Sequence, residues 1–311
     1  MVEDELEIVV REEDIGKRVD QFLRDQLSGI SRTRIRRCCD AGLVVCGGIS
    51  VAAKHTLRPG ELIKFRLDGE RNGTLSPIKM PLHIVFEDDD MIAVNKPAGV
   101  VVHPGNGTTA PTLLEGILSH CALSRIGSPL RGGVVHRIDK WTSGLVLFAK
   151  TDAFHLQLVK MFSLRRMKKT YDAIACGTFE RDFGEINAPI GRNRVFRTKM
   201  AVSHGGKEAI TRWVAVERFG NLFAHLRVSI LTGRTHQIRV HMANIGHPIA
   251  GDVTYGYNWN YSPTIAPKRV MLHASSLAFE HPFSKSEITL AAPLADDFSG
   301  MLRALSENFR R

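Results

Sequence analysis

Apolar residues recur at helical spacing close to the start of the chain. Four of them form one face of a short predicted helix: Val19, Phe22, Leu23 and Leu27. A second helix is expected to begin at Ser31, a favourable N-cap, and to end at Gly42, a favourable stop; its inward stripe is Ile35, Cys38 and Cys39. Two short apolar runs then predict strands, GLVVCGG and ELIKFRL. This alternation indicates a small domain over residues 16–67.

A polar stretch that contains Gly and Pro and shows no periodicity follows, and it is predicted to be a linker over residues 68–81. Beyond it, short apolar strands alternate with turns and a few helices. The run from Gly144 to Ala149 predicts a buried strand, and the segment TDAFHLQLVKMFSLRRM predicts a helix. Because a helix does not follow each strand in turn, the pattern favours an α+β domain over residues 82–305 and disfavours repeated βαβ units.

Positive charge is concentrated in the first domain of a chain whose net charge is +10. Residues 16–66 carry 11 Lys and Arg against 4 Asp and Glu. Four of these cations fall within six positions of the second predicted helix: Arg32, Arg34, Arg36 and Arg37. Such a cluster repels itself unless an anion covers it, so the pattern favours a nucleic-acid partner; a solvated helix face is the alternative.

Composition disfavours several classes of protein. No apolar run approaches the roughly 20 residues of a membrane span, and the acidic start is unlike a signal peptide, so we expect a soluble, cytoplasmic protein. The five cysteines show neither CxxC pairing nor zinc spacing, and the HExxH motif and phosphate-binding glycine loops are absent from the sequence. We therefore expect reduced thiols, no metal ion and no cofactor.

One carboxylate stands where a cationic stretch meets the predicted buried strand, in HRIDKWTSGLVLFAK. Asp139 lies close to His136, Arg137 and Lys140, and the neighbouring cations favour its ionised form. An ionised carboxylate at the edge of a core can act as a nucleophile, a general base or a metal ligand. The structural alternative is an aspartate that begins a turn completed by Thr142 and Ser143.

This segment resembles the HR-[Leu/Ile]-D-x-x-TSG motif of pseudouridine synthases, in particular the RluA/RluD family that modifies ribosomal RNA. Further matching motifs follow in the order of that family across residues 83–297. They are EDDDMIAVNKPAGVVVHPG, KKTYDAIACG, TGRTHQIRVHMANIGHPIAGDVTYG and MLHASSLAFEHPF. The resemblance implies a mixed, mostly antiparallel sheet with a cleft across its middle. It also implies an isomerase that converts uridine to pseudouridine without a cofactor.

The resemblance further implies roles for individual residues. Asp139 is expected to be the nucleophile that helps to break the bond between ribose and uracil, whether it attacks the sugar, attacks the base or acts through a glycal-like intermediate. Tyr171 is expected to stack on uracil and take the proton from C5, and Arg239 to pair with Asp139. Leu272 is expected to line the apolar floor of the pocket. Three further residues are expected to bind the substrate RNA: His136, Arg137 and Arg234.

The first domain resembles the RNA-binding domain first seen in the fourth protein of the small ribosomal subunit. The matching residues are Ser31-Arg32, Gly42, Val44, Gly47 and Gly60-Glu61. Cys46 stands where that family usually has Asn, and Glu61 where it usually has Asp. The basic helix matches throughout, so the resemblance implies that its arginines contact RNA.

Together these features predict a monomeric RNA pseudouridine synthase that acts on large-subunit ribosomal RNA. The leading basic domain favours this substrate over transfer RNA, which is the first alternative. A non-catalytic RNA-binding or assembly factor is the second alternative, and the joint presence of Asp139, Tyr171 and Arg239 disfavours it. Because the target uridine must leave its stack, a structured loop is the favoured site in the RNA.

Three features of the sequence allow more than one interpretation. Trp141 stands where the family more often has a small, acidic or Pro residue, so the resemblance does not define the shape of that loop. The stretch YGYNWNY places an aromatic residue at every second position from Tyr255 to Tyr261, which gives a stacking face on a strand or simple packing in a loop. The cationic run SLRRMKK, residues 163–169, either follows phosphates or is a solvated face.

Overall fold

A computed structural model of the chain describes residues 5–27, 30, 32–66, 75–105, 108, 110–128, 130–258 and 266–309, without the side chains of Glu5, Thr33, Arg34 and Arg37. The chain divides into two compact units, Met1–Thr74 and Leu75–Arg311, and the division falls within the predicted linker. Each unit has its own hydrophobic core. In the described residues, no helix is both long and apolar enough to cross a membrane.

In its described residues, the first unit combines two α-helices with four strands. The helices are α1, Val19–Gln26, and α2, Arg32–Asp40. The strands are β1, Glu5–Val9; β2, Val44–Cys46; β3, Ile49–Ser50; and β4, Leu62–Arg66. They form an antiparallel sheet of order β1-β4-β2-β3. Strand β1 precedes the predicted start of the small domain at residue 16 and pairs with β4, so the unit is larger than the sequence pattern indicated.

The core of the first unit confirms the predicted helical faces. Ile35, Cys38 and Cys39 are buried in α2, in the same cluster as Phe22 and Leu23 of α1. Gly42 has a φ of +75°, the left-handed region in which glycine is favoured, and its amide N donates to the Cys39 carbonyl over 3.0 Å. The helix therefore ends as expected; the predicted N-cap, Ser31, lies outside the described residues.

The second unit is built on one mixed sheet, in which the described residues form nine strands. These strands are β5, Ile84–Glu87; β6, Met91–Lys96; β7, Ser143–Ala149; β8, Lys168–Cys176; β9, Phe183–Asn187; β12, Ile210–Phe219; β13, Phe223–Ile230; β14, Leu272–Glu280; and β15, Glu287–Ala291. Their order is β5-β6-β7-β14-β8-β13-β12-β9, with β15 paired to β14. A separate hairpin pairs β10, Ile190–Arg192, with β11, Met200–Val202. The predicted mostly antiparallel α+β fold is confirmed.

Where the structure describes the second unit, four α-helices accompany this sheet: α3, Leu113–Leu118; α4, Asp152–Ser163; α5, Gln237–Asn244; and α6, Asp296–Phe309. The largest core cluster joins β8 and β13 to Phe298 and Leu305 of α6. A second cluster packs Phe154 and Leu158 of the predicted helix α4 against β7. Every residue of β7 is buried, as its apolar sequence predicted.

The two parts of the sheet meet where β7 and β14 run parallel. The described ladder there pairs Ser143 with His273 and Gly144 with Ala274. Gly144 has a φ of +110°, and a Cβ at this position would lie 2.3 Å from the Ala274 carbonyl O. Only glycine permits this approach, which sets the start of β7, and the loop before it, beside the start of β14.

The aromatic stretch after α5 does not form a strand in its described part. Tyr255 ends a 3-10 helix, Val253–Tyr255, and Gly256 follows with a φ of +107°. Tyr257 is then buried in the main core. The stacking face is therefore wrong for Tyr255 and Tyr257, because the turn at Gly256 breaks the alternation; Trp259 and Tyr261 lie outside the described residues.

Candidate active site

The loop that carries Asp139 is fixed through its backbone. The amide N of Thr142 donates to the Asp139 carbonyl over 3.1 Å, so the predicted turn is present. The next carbonyl, that of Lys140, accepts from the amide N of Gly99 over 2.8 Å and from Nζ of Lys96 over 3.1 Å. The Asp139 side chain itself remains 27% exposed and faces a pocket. The turn thus holds the backbone and leaves the carboxylate available.

Lys96 connects this loop to the turn that follows β6. Its side chain is fully buried, and Nζ donates to two carbonyls of its own turn, those of Pro97 and Val100, as well as to Lys140. Burial, with Arg269 nearby, lowers the pKa of Lys96 to about 7, although Asp139 opposes that shift. The lysine therefore acts as a structural link between the two loops.

Asp139 pairs with Arg239, as the resemblance implied. Nη1 of Arg239, on α5, donates to Oδ2 of Asp139 over 3.1 Å. The same guanidinium donates from Nε and Nη2 to the two carboxylate oxygens of Asp252, over 2.6 and 2.9 Å. Burial lowers the pKa of Arg239, but Asp252 and Asp139 more than offset this and raise it above its ordinary value. A permanent cation, oriented by a buried acid, therefore faces Asp139.

The pocket in front of Asp139 has a polar wall and an apolar floor. Tyr171 of β8 and Leu272 of β14 both line it, together with Ile138, and it encloses about 80 Å³. Strands β8 and β14 are hydrogen-bonded neighbours, which brings these two side chains to one place from sites 101 positions apart. Burial, and then the charge of Asp139, raise the pKa of Tyr171, so its phenol is neutral at neutral pH.

His236 and Tyr255 also belong to this site, although neither was predicted from the sequence to do so. Nδ1 of His236 lies 2.8 Å from the Tyr255 hydroxyl, and Nε2 lies 3.8 Å from Oδ2 of Asp139. The Tyr255 hydroxyl also accepts from the amide N of Met200 over 2.9 Å, so one oxygen joins the His236 ring to the backbone of β11. His236 has a φ of +57°, a strained conformation of the kind found at functional sites.

The Tyr255 ring completes the support of the arginine. Its centroid lies 5.0 Å from Cζ of Arg239, a cation–π distance. Burial lowers the pKa of His236, and Asp139 opposes this shift. Asp252, His236 and Tyr255 therefore surround the predicted Asp139–Arg239 pair with contacts to the carboxylate or to the guanidinium.

A basic cleft of about 450 Å³ adjoins the pocket and shares Arg137, Tyr171 and Arg234 with it. Arg165 and Lys169, from the cationic run at 163–169, also line this cleft. Burial, and then the charges of Arg234 and Arg165, lower the pKa of Lys169 to about 8. Arg137 is exposed, and it stands where the cleft and the pocket meet. The predicted substrate residues Arg137 and Arg234 thus share a surface suited to phosphates.

His136 lies at the same cleft but has structural contacts. Its Nε2 accepts from the amide N of Leu147 in β7 over 2.8 Å, and its ring stacks on Phe162 with centroids 5.0 Å apart. Burial, with Lys169 nearby, lowers the pKa of His136 to about 3, so the ring is neutral. Through these contacts His136 links the Asp139 loop to β7. Its contact with RNA remains a prediction.

The predicted RNA-binding arginines of α2 are described in part. Nη2 of Arg32 donates to Oδ2 of Asp20 over 2.9 Å while about half of its side chain stays exposed, and Arg36 is exposed. The side chains of Arg34 and Arg37 lie outside the described residues. Contact of these four arginines with RNA remains a prediction.

The described residues contain one group of side chains with metal-ligand geometry, and it lies in the first unit. Ligand atoms of Cys46, His55 and Glu61 are all within 4.8 Å of one another. Glu61 also accepts from the amide N of Arg58 over 2.8 Å and lies 3.4 Å from Nε2 of His55. In the Asp139 site, by contrast, both carboxylate oxygens of the neighbouring Asp252 accept from Arg239 and are committed to that cation.

The Asp139 site can therefore perform a specific kind of chemistry. It offers one partly exposed carboxylate, a fixed cation that orients it, a neutral phenol and an apolar surface for a flat ring. This set suits nucleophilic or general-base attack on a planar base or its sugar. The basic cleft beside it suits a polyanionic chain that carries the base.

Comparison with known proteins agrees with this chemistry. The model of the RNA pseudouridylate synthase family matches residues 90–244. A protein of Bacillus subtilis (strain 168), described as the uncharacterized RNA pseudouridine synthase YlyB, is 38% identical over 98% of this chain and 99% of its own length. Ribosomal large subunit pseudouridine synthase D of Pasteurella multocida is 38% identical, with 95% of this chain and 93% of that protein covered.

A solved structure supports the same assignment. Human RNA pseudouridylate synthase domain containing 1 matches with a TM-score of 0.55 and 26% identity, covering 76% of this chain and 97% of that chain. Ribosomal large subunit pseudouridine synthase D of Vibrio cholerae is 37% identical over 98% of this chain and 96% of its own. With relatives of this identity along nearly its whole length, the chain belongs to the RNA pseudouridine synthase family.

Proposed function

We propose that this protein isomerises uridine to pseudouridine in large-subunit ribosomal RNA, with Asp139 as the catalytic carboxylate. The observation that carries the proposal is the 3.1 Å contact between Asp139 and Arg239 at the mouth of a pocket that Tyr171 and Leu272 also line. Relatives named for the large ribosomal subunit support this choice of substrate, and so does the separate unit whose helix α2 bears the arginine cluster.

Binding begins with extrusion of the target uridine, because a stacked base keeps its sugar out of reach of Asp139. The phosphates on either side lie along the basic cleft, where Arg165, Lys169 and Arg234 neutralise them. The uracil ring enters the pocket against Tyr171 and over Leu272. Arg137, at the junction of cleft and pocket, grips the nearest phosphate or fills the space that the base has left.

The reaction breaks the bond between N1 and C1′ and forms a bond between C5 and C1′. Asp139 assists the departure of uracil from the sugar, and the side chains that line the pocket, Tyr171 and Leu272 among them, hold the free base while it rotates. Once C5 is joined to C1′, its proton passes to the Tyr171 hydroxyl while the phenol proton passes on to Asp139, because the raised pKa of Tyr171 disfavours a free phenolate. N1 takes a proton from solvent and Asp139 returns its proton to solvent, so the product has the composition of the substrate and the carboxylate is restored.

The test uses unmodified large-subunit ribosomal RNA and transfer RNA, both transcribed in vitro. After incubation with the purified protein, carbodiimide labelling and primer extension locate any pseudouridine. We expect new stops in the ribosomal RNA and none with the Asp139→Asn variant. Stops confined to transfer RNA would reassign the substrate, and their absence from both RNAs would reject the activity. The cytoplasmic location expected from the sequence goes with this function and remains a prediction.

A further inference from the structure

Trp141 presents a large aromatic surface two residues after the proposed catalytic carboxylate. The residue is 50% exposed, so a large part of an apolar ring is open to solvent. The ring is nevertheless seated: a Cβ built on Gly99 would lie 3.4 Å from its Cζ3 atom. The Trp141 carbonyl accepts from Nη1 of the buried Arg269 over 3.3 Å. The ring is therefore both open to solvent and held in place.

This ring lines a second cleft of about 400 Å³ next to the uracil pocket. The second cleft and the uracil pocket share Arg137, Asp139, His236 and Arg239, so the proposed catalytic carboxylate stands on their common wall. The remaining lining includes Val101 and Val102 from the turn after β6, and the polar residues His103, Thr235 and Thr254. A volume of this size lies within the range of pockets that bind small planar molecules.

The chemistry of the second cleft matches a nucleotide. An exposed aromatic ring stacks on any nucleobase, whatever its sequence, because every base has a π-face. Nζ of Lys140 lies 5.4 Å from the Trp141 ring centroid and supplies a cation for a phosphate beside the stacked base. The hydroxyl and imidazole groups on the rim supply donors and acceptors for a sugar or a base edge.

We propose that Trp141 is the platform of a second base site, on which the nucleobase adjacent to the extruded uridine in the RNA chain stacks. This inference rests on the proposed function, since it takes the Asp139 pocket as the place of the target uridine. Two sites that share a wall accept successive nucleotides of one strand. Trp141 thereby replaces the stacking that the neighbour loses when the uridine leaves, and it favours targets whose flanking base is free to stack.

The test measures binding and turnover separately. The probe is the RNA heptamer AAAUAAA, compared with two versions in which the adenosine on one or the other side of the uridine is abasic. Binding is measured by filter binding in the Asp139→Asn background, with Trp141→Phe and Trp141→Ala as variants, and tryptophan fluorescence reports stacking on Trp141 itself. Stacking of adenine quenches indole fluorescence, and the Trp141→Phe protein reports the signal of the chain's two other tryptophans.

We expect Trp141→Ala to weaken binding of the intact heptamer by about tenfold and Trp141→Phe to weaken it much less. One abasic version should weaken binding to the Trp141 protein by a similar factor, and the Trp141→Ala protein should not distinguish it from the intact RNA. Phe183→Ala is the matched control, because Phe183 is an exposed aromatic residue on β9 away from the clefts, and it should change nothing.

Three results would overturn the proposal: no weakening with Trp141→Ala, equal weakening for intact and abasic RNAs, or no quenching that depends on Trp141. Turnover is then measured with Asp139 intact. The substrate is a stem-loop that contains the modified uridine mapped in ribosomal RNA, or the heptamer if the mapping finds no modified uridine. Isomerisation without an effect of Trp141 refutes only the second base site. If binding distinguishes the intact from the abasic RNA only when Trp141 is present, but no isomerisation occurs, the result supports the second base site and counts against the proposed function.

Discussion

Nη1 of Arg239 lies 3.1 Å from Oδ2 of Asp139, although the two residues are 100 positions apart in the chain. The contact brings the loop before β7 to the start of α5, and Asp252 secures the arginine from behind. A negative group at the mouth of a pocket is thereby held at one orientation while it keeps its access to solvent. Changes to this arrangement, or to the RNA surface around it, should have separable effects.

Asp139→Asn should abolish isomerisation while RNA binding is retained. The substitution keeps the shape of the side chain but removes the charge that pairs with Arg239 and assists cleavage. Release of tritium from C5 of uridine measures turnover, and filter binding measures affinity. Asp182→Asn is the control, because Asp182 is 79% exposed in an ion pair with Arg218, and it should be as active as the unchanged protein. Normal tritium release from Asp139→Asn would exclude Asp139 as the catalytic carboxylate.

Tyr171→Phe should slow the reaction by roughly 10²- to 10⁴-fold, the range for loss of a general acid or base, with little change in affinity. The phenyl ring keeps the stacking surface beside Leu272 and loses only the hydroxyl. Tyr171→Leu should also weaken binding, by about 1–3 kcal/mol, because the stacking surface is removed as well. Single-turnover kinetics with saturating enzyme separate the two effects. A Tyr171→Phe variant as fast as the unchanged protein would assign removal of the C5 proton to another group.

Asp252→Asn should lower both stability and the catalytic rate. The variant leaves the buried guanidinium of Arg239 with a neutral partner, and breaking a buried ion pair costs about 3 kcal/mol in the free energy of unfolding. Urea denaturation measures this loss. Asp297→Asn provides a comparison, since Asp297 also binds an arginine but is 47% exposed and should cost less.

The kinetic effect of Asp252→Asn should fall on kcat more than on KM, because Arg239 orients the carboxylate and does not grip the RNA. Assays well below the midpoint of thermal unfolding separate this effect from instability. A variant that unfolds early but keeps its full kcat while folded would limit Asp252 to a structural role.

RNA affinity should fall as the pH rises from 7 to 9, because Lys169 loses its charge there. Burial, Arg234 and Arg165 lower its pKa to about 8, so the side chain is cationic below that value and neutral above it. Bound phosphate stabilises the cation and shifts the decline in affinity to somewhat higher pH. Binding titrations at constant ionic strength measure the effect. Lys169→Met should bind more weakly at pH 7 and show a flatter pH profile; an unchanged profile would remove Lys169 from the RNA surface.

Replacing Arg32, Arg34, Arg36 and Arg37 together by Gln should weaken RNA binding and its dependence on salt. For every phosphate that the variant no longer neutralises, the slope of log affinity against log salt concentration should become shallower by about 0.7 to 0.9. Arg24→Gln is the control, since Arg24 is exposed on α1 and paired with Asp25. An unchanged slope in the fourfold variant would mean that α2 does not contact RNA.

Some residues of the active site could be predicted from sequence motifs, whereas others are identified only by their contacts in the structure. Asp139, Tyr171, Arg239 and Leu272 lie in motifs whose resemblance names their roles, and the structure brings all four around one pocket. Asp252 also lies in one of these motifs, but its role follows only from its contact in the folded protein with the buried guanidinium of Arg239. A buried arginine needs more hydrogen-bond acceptors than one partly exposed carboxylate. This requirement could have pointed to a second acidic partner for Arg239.

Local conformation explains the remaining differences. His236 lies near Asp139 with a left-handed backbone, a conformation that side-chain periodicity does not indicate. Strand β1 was not predicted, because the acidic residues at the start of the chain were considered only for their charge. Leu6 and Ile8 nevertheless alternate with Glu5 and Glu7, as in a strand. For β1, the tertiary contact with β4 determines a conformation that the local sequence leaves open.

The short parallel ladder between β7 and β14 has a practical consequence. It joins the stretch of chain that supplies the carboxylate to the stretch that supplies the phenol, the guanidinium and the floor of the pocket. A molecule cleaved between α4 and β8 would yield one fragment with the acid and another with its partners, and neither could process RNA alone. Recovery of turnover on mixing would then report reassembly of the fragments, which makes this enzyme a candidate scaffold for a split reporter.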